Sequence, residues 1–338
     1  MRQLVFVEPG HLEWREEVEP SLRDPGDALV RPVAAAACDL DGAVIRGLVP
    51  LPGPFPFGHE FVADVAEVGP AVSAFSQGQR VIVPFSISCG TCGHCTRGLT
   101  AHCSTVQRNA MYGVAPIGGD WGGAIADLVR VPFADHMLVP LPSGVESATV
   151  ASASDNLPDA WRGVGPQLDD LPEASVLVVG GGAPSIGLYA AAIARALGAS
   201  SVDYVDRDPE RLRLAESFGA NAIEGFPEER IGPYPITFDA SAHPKGLRLA
   251  IVATEPGGWC TSAGIYYQPE TPVPLLAMYD RGITFRTGRP HARPTIPRIL
   301  DLVASGKLDP DPIATVVSWD EAPEAFREPP LKLILVRD

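Results

Sequence analysis

The chain opens with short apolar runs cut by Gly, Pro and Asp: LVFV, ALVRPVAAAA, FVADVAEVG, QRVIVPF, IADLVRVP and HMLVPLP. Runs of this length with this punctuation predict strands rather than helices. Gly78 and Gln79 mark a tight turn into RVIVP. Residues 1–146 are therefore expected to form a partly open β-barrel, and the pattern changes from Gly144 onward. ESATVASAS predicts a small-residue helical stretch. SVLVVGG predicts a short strand apolar on both faces, as in a buried parallel sheet. IGLYAAAIARALGA reads as an alanine-rich helix ended by Gly198. SVDYVD is a second strand, and PERLRLAESFGA a second helix with Pro209 at its start and Gly219 near its end. PITFDAS, GGWCTSAG and GITFRTG are further strands, and PTIPRILDLVASG is one more helix. Alternating strands and helices predict a doubly wound sheet over 147–293. The tail, 294–338, carries ATVVSW and LKLILVRD, barrel-like strands expected to rejoin the first domain.

Composition narrows the function classes. The 338 residues suffice for two domains, and 46% hydrophobic with 20% charged residues is ordinary for a globular chain. The net charge of −15 disfavours nucleic acid and anionic membrane as partners, since both attract basic surfaces. Lysine is confined to Lys245, Lys307 and Lys332, which reads as genome composition rather than function. The segment MRQLVFVEPGHLEWREE lacks the apolar core of a secretion signal, and no run approaches the length of a membrane span. A cytoplasmic protein acting on a small molecule is expected. Its six cysteines then fit thiolates and metal ligands better than disulfides. Cys260, alone in GGWCTSAG, reads as a small buried hydrophobe.

Four cysteines, Cys89, Cys92, Cys95 and Cys103, are spaced Cys-x2-Cys-x2-Cys-x7-Cys within a lobe at about 86–105. Four thiolates so close in sequence can wrap one tetrahedral zinc, with Gly90, Gly93 and Gly98 easing the turns. A redox pair or a set of packed thiols would not need the fourth cysteine. A closed four-sulfur site has no open position for chemistry, so its role is structural. Upstream lie Cys38 and, in FGHEF, His59 and Glu60. Catalytic zinc takes three protein ligands and keeps one position open. Cys38 and His59 supply two; the third candidate is Asp155 in ASASDNLPDAW, with Glu60 the other carboxylate in reach. The competing reading of Asp155 is a helix N-cap.

VLVVGGGAPSIG reads as a strand entering a glycine-rich phosphate loop. The loop is irregular: Pro184 occupies the middle of Gly182–Gly187 and has no N–H to give, and counted from Gly180 the loop is two residues too long. Its context is regular, with a strand before, a helix after, and Asp206 at the end of the next strand. A carboxylate there accepts ribose hydroxyls and repels a 2′-phosphate, which favours NAD over NADP, although Arg207 and Arg211 follow directly. The alternative is that Asp206 caps the helix begun by Pro209. The cofactor candidates are Gly180, Gly182, Ser185, Ile186, Gly187, Asp206, Arg207, Arg211 and Gly264.

On GHEFVADVAEVG with GQRVIVPF, the four-cysteine lobe, and VLVVGG…IGLYAAAIARALGA…VDRDPERLRLAESFGA, the whole chain resembles the zinc-containing medium-chain dehydrogenase/reductase family of alcohol, polyol, threonine and glucose dehydrogenases. The resemblance implies a GroES-like barrel in two sequence segments around an inserted Rossmann domain, with the active site in the cleft between them. It implies Cys38, His59 and Asp155 as catalytic zinc ligands, and Glu60 as a supporting or exchanging one. Asp155 is similar to the aspartate of the secondary-alcohol branch. The chain departs from the family where most members carry a proton relay. Thr or Ser two residues after the zinc cysteine is Leu40 here, and His five residues after it is Ala43. Neither can move a proton. The usual Thr-Gly after the third ligand is Asp159-Ala160, which leaves Asp39, Asp41, Asp159 or water as proton carriers.

The expected function is interconversion of an alcohol and a carbonyl with NAD(H), in a protein with two zinc ions that forms a homodimer or homotetramer. Secondary alcohols, polyols, sugars and aldehydes are the substrate classes. The rival readings are a homologue that keeps zinc but has altered chemistry, such as aldehyde dismutation, and a non-catalytic nucleotide-binding protein.

Overall fold

The computed structural model describes residues 1–227 and 231–337. The chain divides into two compact units. The first holds residues 1–158, 291–304 and those from Ala314 onward; the second holds 159–290 and 305–313. The first compact unit thus runs through Pro158. The small-residue stretch Ala151–Ser154 is one turn of 3-10 helix stitched by hydrogen bonds to the first unit. Composition there resembles a helix start, but backbone pairing assigns it to the barrel side.

The first unit begins with β1 (Arg2–Glu8), β2 (His11–Glu16) and β3 (Ala28–Ala36). Helix α1 (Asp39–Ile45) comes next, then β4 (Phe55–Pro56), β5 (Glu60–Val68), β6 (Arg80–Val83), β7 (Val129–Val131) and β8 (Val139–Pro140). β1 pairs antiparallel with β2 and β4, while β3 pairs antiparallel with β5 and β7. Phe6, Phe55 and Phe57 are stacked or tilted against one another, and Phe326 meets Phe57 edge-on at 5.2 Å, which closes a core of buried aromatic and aliphatic side chains.

The second unit alternates β9 (Val176–Val179), α2 (Pro184–Ala196), β10 (Val202–Asp206), α3 (Pro209–Ser217), β11 (Asn221–Glu224), β12 (Tyr234–Asp239), α4 (Pro244–Ala253), β13 (Thr254–Ser262), α5 (Leu275–Arg281) and β14 (Thr284–Thr287). Its sheet is parallel throughout, in the order β11-β10-β9-β12-β13-β14. All four residues of β9 are buried, as its unbroken apolar run predicts for a central strand. β11 has no such run because it is an edge strand and its ends are exposed. Cys260 is fully buried in the sheet core, as expected. The chain moves outward from β9 to β11, then returns to β12 on the other side of β9. This reversal creates the crevice in which open parallel sheets bind ligands.

The tail supplies α6 (Ala292–Ala304), β15 (Ala314–Ser318) and β16 (Lys332–Val336). β16 pairs antiparallel with β3, Ile334 opposite Ala36, so the tail rejoins the first unit in a sheet ordered β15-β16-β3-β5-β6-β8. Among the described residues no helix is long and apolar enough to cross a membrane.

Candidate metal centres and nucleotide crevice

Cys38, His59, Glu60 and Asp155 converge although 117 residues separate the first from the last. Their ligand atoms all lie within 4.8 Å of one another, and all four residues are buried. Three local structures bring them there. Cys38 ends the run after β3 and caps α1, its sulfur accepting from Leu40 N at 3.4 Å. His59 and Glu60 enter β5, the strand paired with β3. Asp155 follows the 3-10 turn, which Ser154 ties down: its hydroxyl accepts from Phe61 N at 2.9 Å and donates to Phe61 O at 3.0 Å. Asp155 is thus held beside His59 by a backbone clamp, at the position just before the helix Asn156–Trp161.

The site is dense in titratable groups shielded from solvent. The Cys38 thiol lies 3.2 Å from Asp155 Oδ2, and His59 Nε2 lies 3.4 Å from the same oxygen. Among the described residues neither ring nitrogen of His59 has a hydrogen-bond partner, and Glu60 Oε1 has none either. Burial and the carboxylates of Asp155, Glu60 and Asp41 push the Cys38 thiol well above its usual range. Burial alone would lower His59, but Asp41, Asp155 and Glu60 reverse this and raise it to about 9. Orphaned imidazole nitrogens beside a thiol and two carboxylates are the donor set of a divalent cation such as zinc. The residues present fit that ion.

Two supports were not foreseen in their roles. Asp41, which the sequence offers as a proton carrier, is 1% exposed. One oxygen accepts from Cys38 N at 2.9 Å, and the other lies 3.5 Å from His59 Nδ1. It therefore orients two candidate ligands, as carboxylates behind metal-bound histidines commonly do. Lys332, on β16, is fully buried and donates to Glu60 Oε2 at 2.9 Å and to Ala37 O at 2.6 Å. Burial raises the Glu60 carboxyl to about 8, although Lys332 pulls it down. The scarcity of lysine in the sequence gave no hint of this role. Only the return of β16 beside β3 brings the ammonium to Glu60.

Cys89, Cys92, Cys95 and Cys103 form a second cluster with sulfurs within 4.8 Å. Donors are already turned toward the sulfurs. Thr105 Oγ1 donates to Cys89 Sγ at 3.1 Å, Cys92 N to the same sulfur at 3.3 Å, and Cys89 N to Cys103 Sγ at 3.4 Å. Hydrogen bonds led by Ser104 lower Cys92 to about 4, which favours the thiolate a metal needs. Gly90 is required: its φ is +79°, and a Cβ would meet the His136 ring at 2.6 Å. Gly93 has neither constraint, contrary to the sequence expectation.

In the second unit Gly180 and Gly182 lie in the loop between β9 and α2, and Ser185, Ile186 and Gly187 are in the first turns of that helix. Pro184 is the first residue of α2, where a missing N–H costs nothing. Among the described residues no side-chain hydrogen bond caps that helix at Ala183, and its N-terminus carries the positive end of the helix dipole. Asp206 ends β10. It does not cap α3; Asp208 does, accepting from Glu210 N at 2.8 Å. Asp206 instead accepts from Arg211 at 2.7 and 2.9 Å, from Tyr204 OH at 3.2 Å, and from the N–H groups of Arg207 and Asp208. Arg207 lies over the Phe226 ring at 4.4 Å. Gly264 follows β13 and its N–H reaches Asp239 O at 3.3 Å. The loop lies at the carboxyl ends of the strands, where open parallel sheets take a dinucleotide, and Arg211 occupies both oxygens of Asp206 beside it.

The positions of the missing relay are apolar. Leu40 packs against the first unit's core and Ala43 is buried on α1. Asp39 opens α1 and is partly exposed. Asp159 is paired with Arg162, whose guanidinium also reaches Ser262 O at 3.3 Å.

Residues 24–143 match the alcohol dehydrogenase GroES-like domain, and residues 185–305 match the zinc-binding dehydrogenase domain. The probable zinc-binding alcohol dehydrogenase of Mycobacterium tuberculosis is 31% identical over 335 residues, covering 96% of this chain and 84% of that protein. A glutathione-independent formaldehyde dehydrogenase of Pseudomonas aeruginosa is 33% identical over 236 residues, covering 64% of this chain and 57% of that protein. The solved structure of alcohol dehydrogenase TADH from Thermus sp. ATN1 is similar over 100% of both chains, with a TM-score of 0.90 at 34% identity.

Proposed function

Because the chain belongs to the zinc-containing medium-chain dehydrogenase/reductase family, we propose that it transfers hydride between NAD(H) and an alcohol or carbonyl substrate. The observation that carries this is the buried convergence of Cys38, His59, Glu60 and Asp155. In our reading Cys38, His59 and Asp155 hold the catalytic zinc, Glu60 supports or exchanges with them, and the four-cysteine lobe holds a second, structural zinc. Zinc in the first site supplies Lewis acidity to the substrate oxygen. The chain's own residues do the rest. Asp41 keeps His59 oriented, and Lys332 restrains Glu60. The glycine loop and the α2 N-terminus take the cofactor's pyrophosphate. Asp206 selects NAD by repelling a 2′-phosphate, once Arg211 yields it to the ribose.

Leu40 and Ala43 cannot form the usual hydroxyl–imidazole relay, so the proton leaves through water, through a carboxylate such as Asp39 or Asp159, or through the substrate's own hydroxyl. General acid–base help is worth about 10²–10⁴-fold in rate. Ethanol and 2-propanol should therefore be slow substrates, and a polyol, sugar or hydrated aldehyde better ones. Similarity to a formaldehyde dehydrogenase supports the aldehyde arm. A homodimer or homotetramer is supported by α5, whose Leu275, Leu276 and Tyr279 are 68%, 74% and 82% exposed. The test is NADH formation against a panel of alcohols, polyols, sugars and aldehydes. Efficient ethanol turnover would refute the relay argument. No turnover of any class by the zinc-loaded protein would refute the enzymatic reading.

A further inference from the structure

Asp239 is the last residue of β12, opposite Val179 of β9 and Ser262 of β13 in register. It therefore lies at the carboxyl edge where the strand order reverses, and it is fully buried. Four neutral donors satisfy it. Ser241 N at 3.0 Å and Ser241 Oγ at 2.5 Å reach one oxygen; Ser262 Oγ at 2.7 Å and the Tyr266 hydroxyl at 2.9 Å reach the other. The backbone repeats the pattern. Gly182 N donates to Ser241 O at 2.8 Å and Ala183 N to Ala240 O at 2.9 Å, while Ala263 N donates to Asp239 O at 2.8 Å. One carboxylate and the Ser241–Ala242 wedge beside it thus tie together the loops after β9, β12 and β13.

The fit is close on both sides of the wedge. A Cβ at Gly181, whose φ is +147°, would come within 2.8 Å of Ser241 O. A Cβ at Gly264 would come within 2.8 Å of Ala242 N. On one side lies the glycine loop, which serves the pyrophosphate. On the other lies the turn from Gly264 to Tyr266, which belongs to the β12–β14 half of the sheet. In doubly wound sheets each half serves one mononucleotide of a dinucleotide. Asp206 on β10 assigns the adenosine to the first half, and the β13 turn then faces the nicotinamide half.

Resting on that dinucleotide reading, we propose that Asp239 and Tyr266 are positioning residues: the tyrosine hydroxyl, anchored on the buried carboxylate, holds the Gly264–Tyr266 turn at the height that the nicotinamide nucleotide requires. The Tyr266 ring is only partly buried, so Tyr266→Phe removes the anchor with little disturbance of packing. One hydrogen bond to a charged group is worth about tenfold in an equilibrium. The test is fluorescence titration with NADH beside calorimetric titration with ADP-ribose, which ends before the nicotinamide. For Tyr266→Phe the NADH Kd should rise about tenfold, while the ADP-ribose Kd stays within about twofold. Ser262→Ala, which removes the other donor to the same oxygen, should shift the NADH Kd in the same direction by less. An unchanged NADH Kd overturns the proposal. An equal loss for both ligands also overturns it, because the network would then only stabilise the fold. If the wild type binds neither ligand, the dinucleotide reading falls and takes the proposal with it. That outcome is distinct from the other two.

Discussion

Ser154→Ala isolates the clamp that presents Asp155. The Ser154 hydroxyl is fully buried and makes two hydrogen bonds to one residue, Phe61 N and Phe61 O. Removing it leaves almost no cavity, so the cost comes from the two bonds. A net hydrogen bond is worth about 1 kcal/mol, and a backbone group left unsatisfied in the interior costs about 1–3 kcal/mol. The sum is a destabilisation of about 2–4 kcal/mol. The second effect is local. Asp155 directly follows the clamp, and groups that hold a ligand in place typically change metal affinity by about 10–100-fold. The assay is urea unfolding by circular dichroism, with zinc release measured under a competing chelator. We expect one of two zinc ions to be released about tenfold more readily and the other to be retained as in wild type. A stability loss below about 0.5 kcal/mol would refute the energetic reasoning. Parallel weakening of both zinc ions would show that the variant loosens the whole unit rather than the Asp155 site.

Metal analysis of protein purified without chelator should give about two zinc ions per chain, and Cys95→Ser should lower stability whereas Cys38→Ser should abolish turnover with the fold kept. The opposite pattern in circular dichroism and turnover would exchange the two roles. NAD should bind more tightly than NADP in titration calorimetry, and Asp206→Ser should narrow the gap. Equal wild-type affinities would mean that Arg207 and Arg211 outweigh Asp206.

The hydrophobic pattern by itself determined much of the architecture. The unbroken apolar run of β9 could only be a central parallel strand, because both of its faces needed cover. The four-cysteine spacing marked its own cluster, since nearby thiols in a glycine-rich loop have few ways to be buried apart. Cys38 and His59 were legible through the motifs around them. Asp155 was less so, because an aspartate in a turn looks the same whether it caps a helix or faces a metal. The Ser154 clamp onto β5 is what sets it beside His59. Asp208 displaced Asp206 as the cap of α3 through backbone geometry, which sequence spacing resolves poorly at helix ends. Lys332, Asp41 and Asp239 carried no sequence signal of their roles. Each is a charged side chain in an ordinary setting along the chain. Each acquires its role from partners that long-range strand pairing or a helix cap brings within hydrogen-bonding distance. Local pattern fixes which segments are strands and helices. Buried charges are matched only when those segments pack, because desolvation is felt in three dimensions.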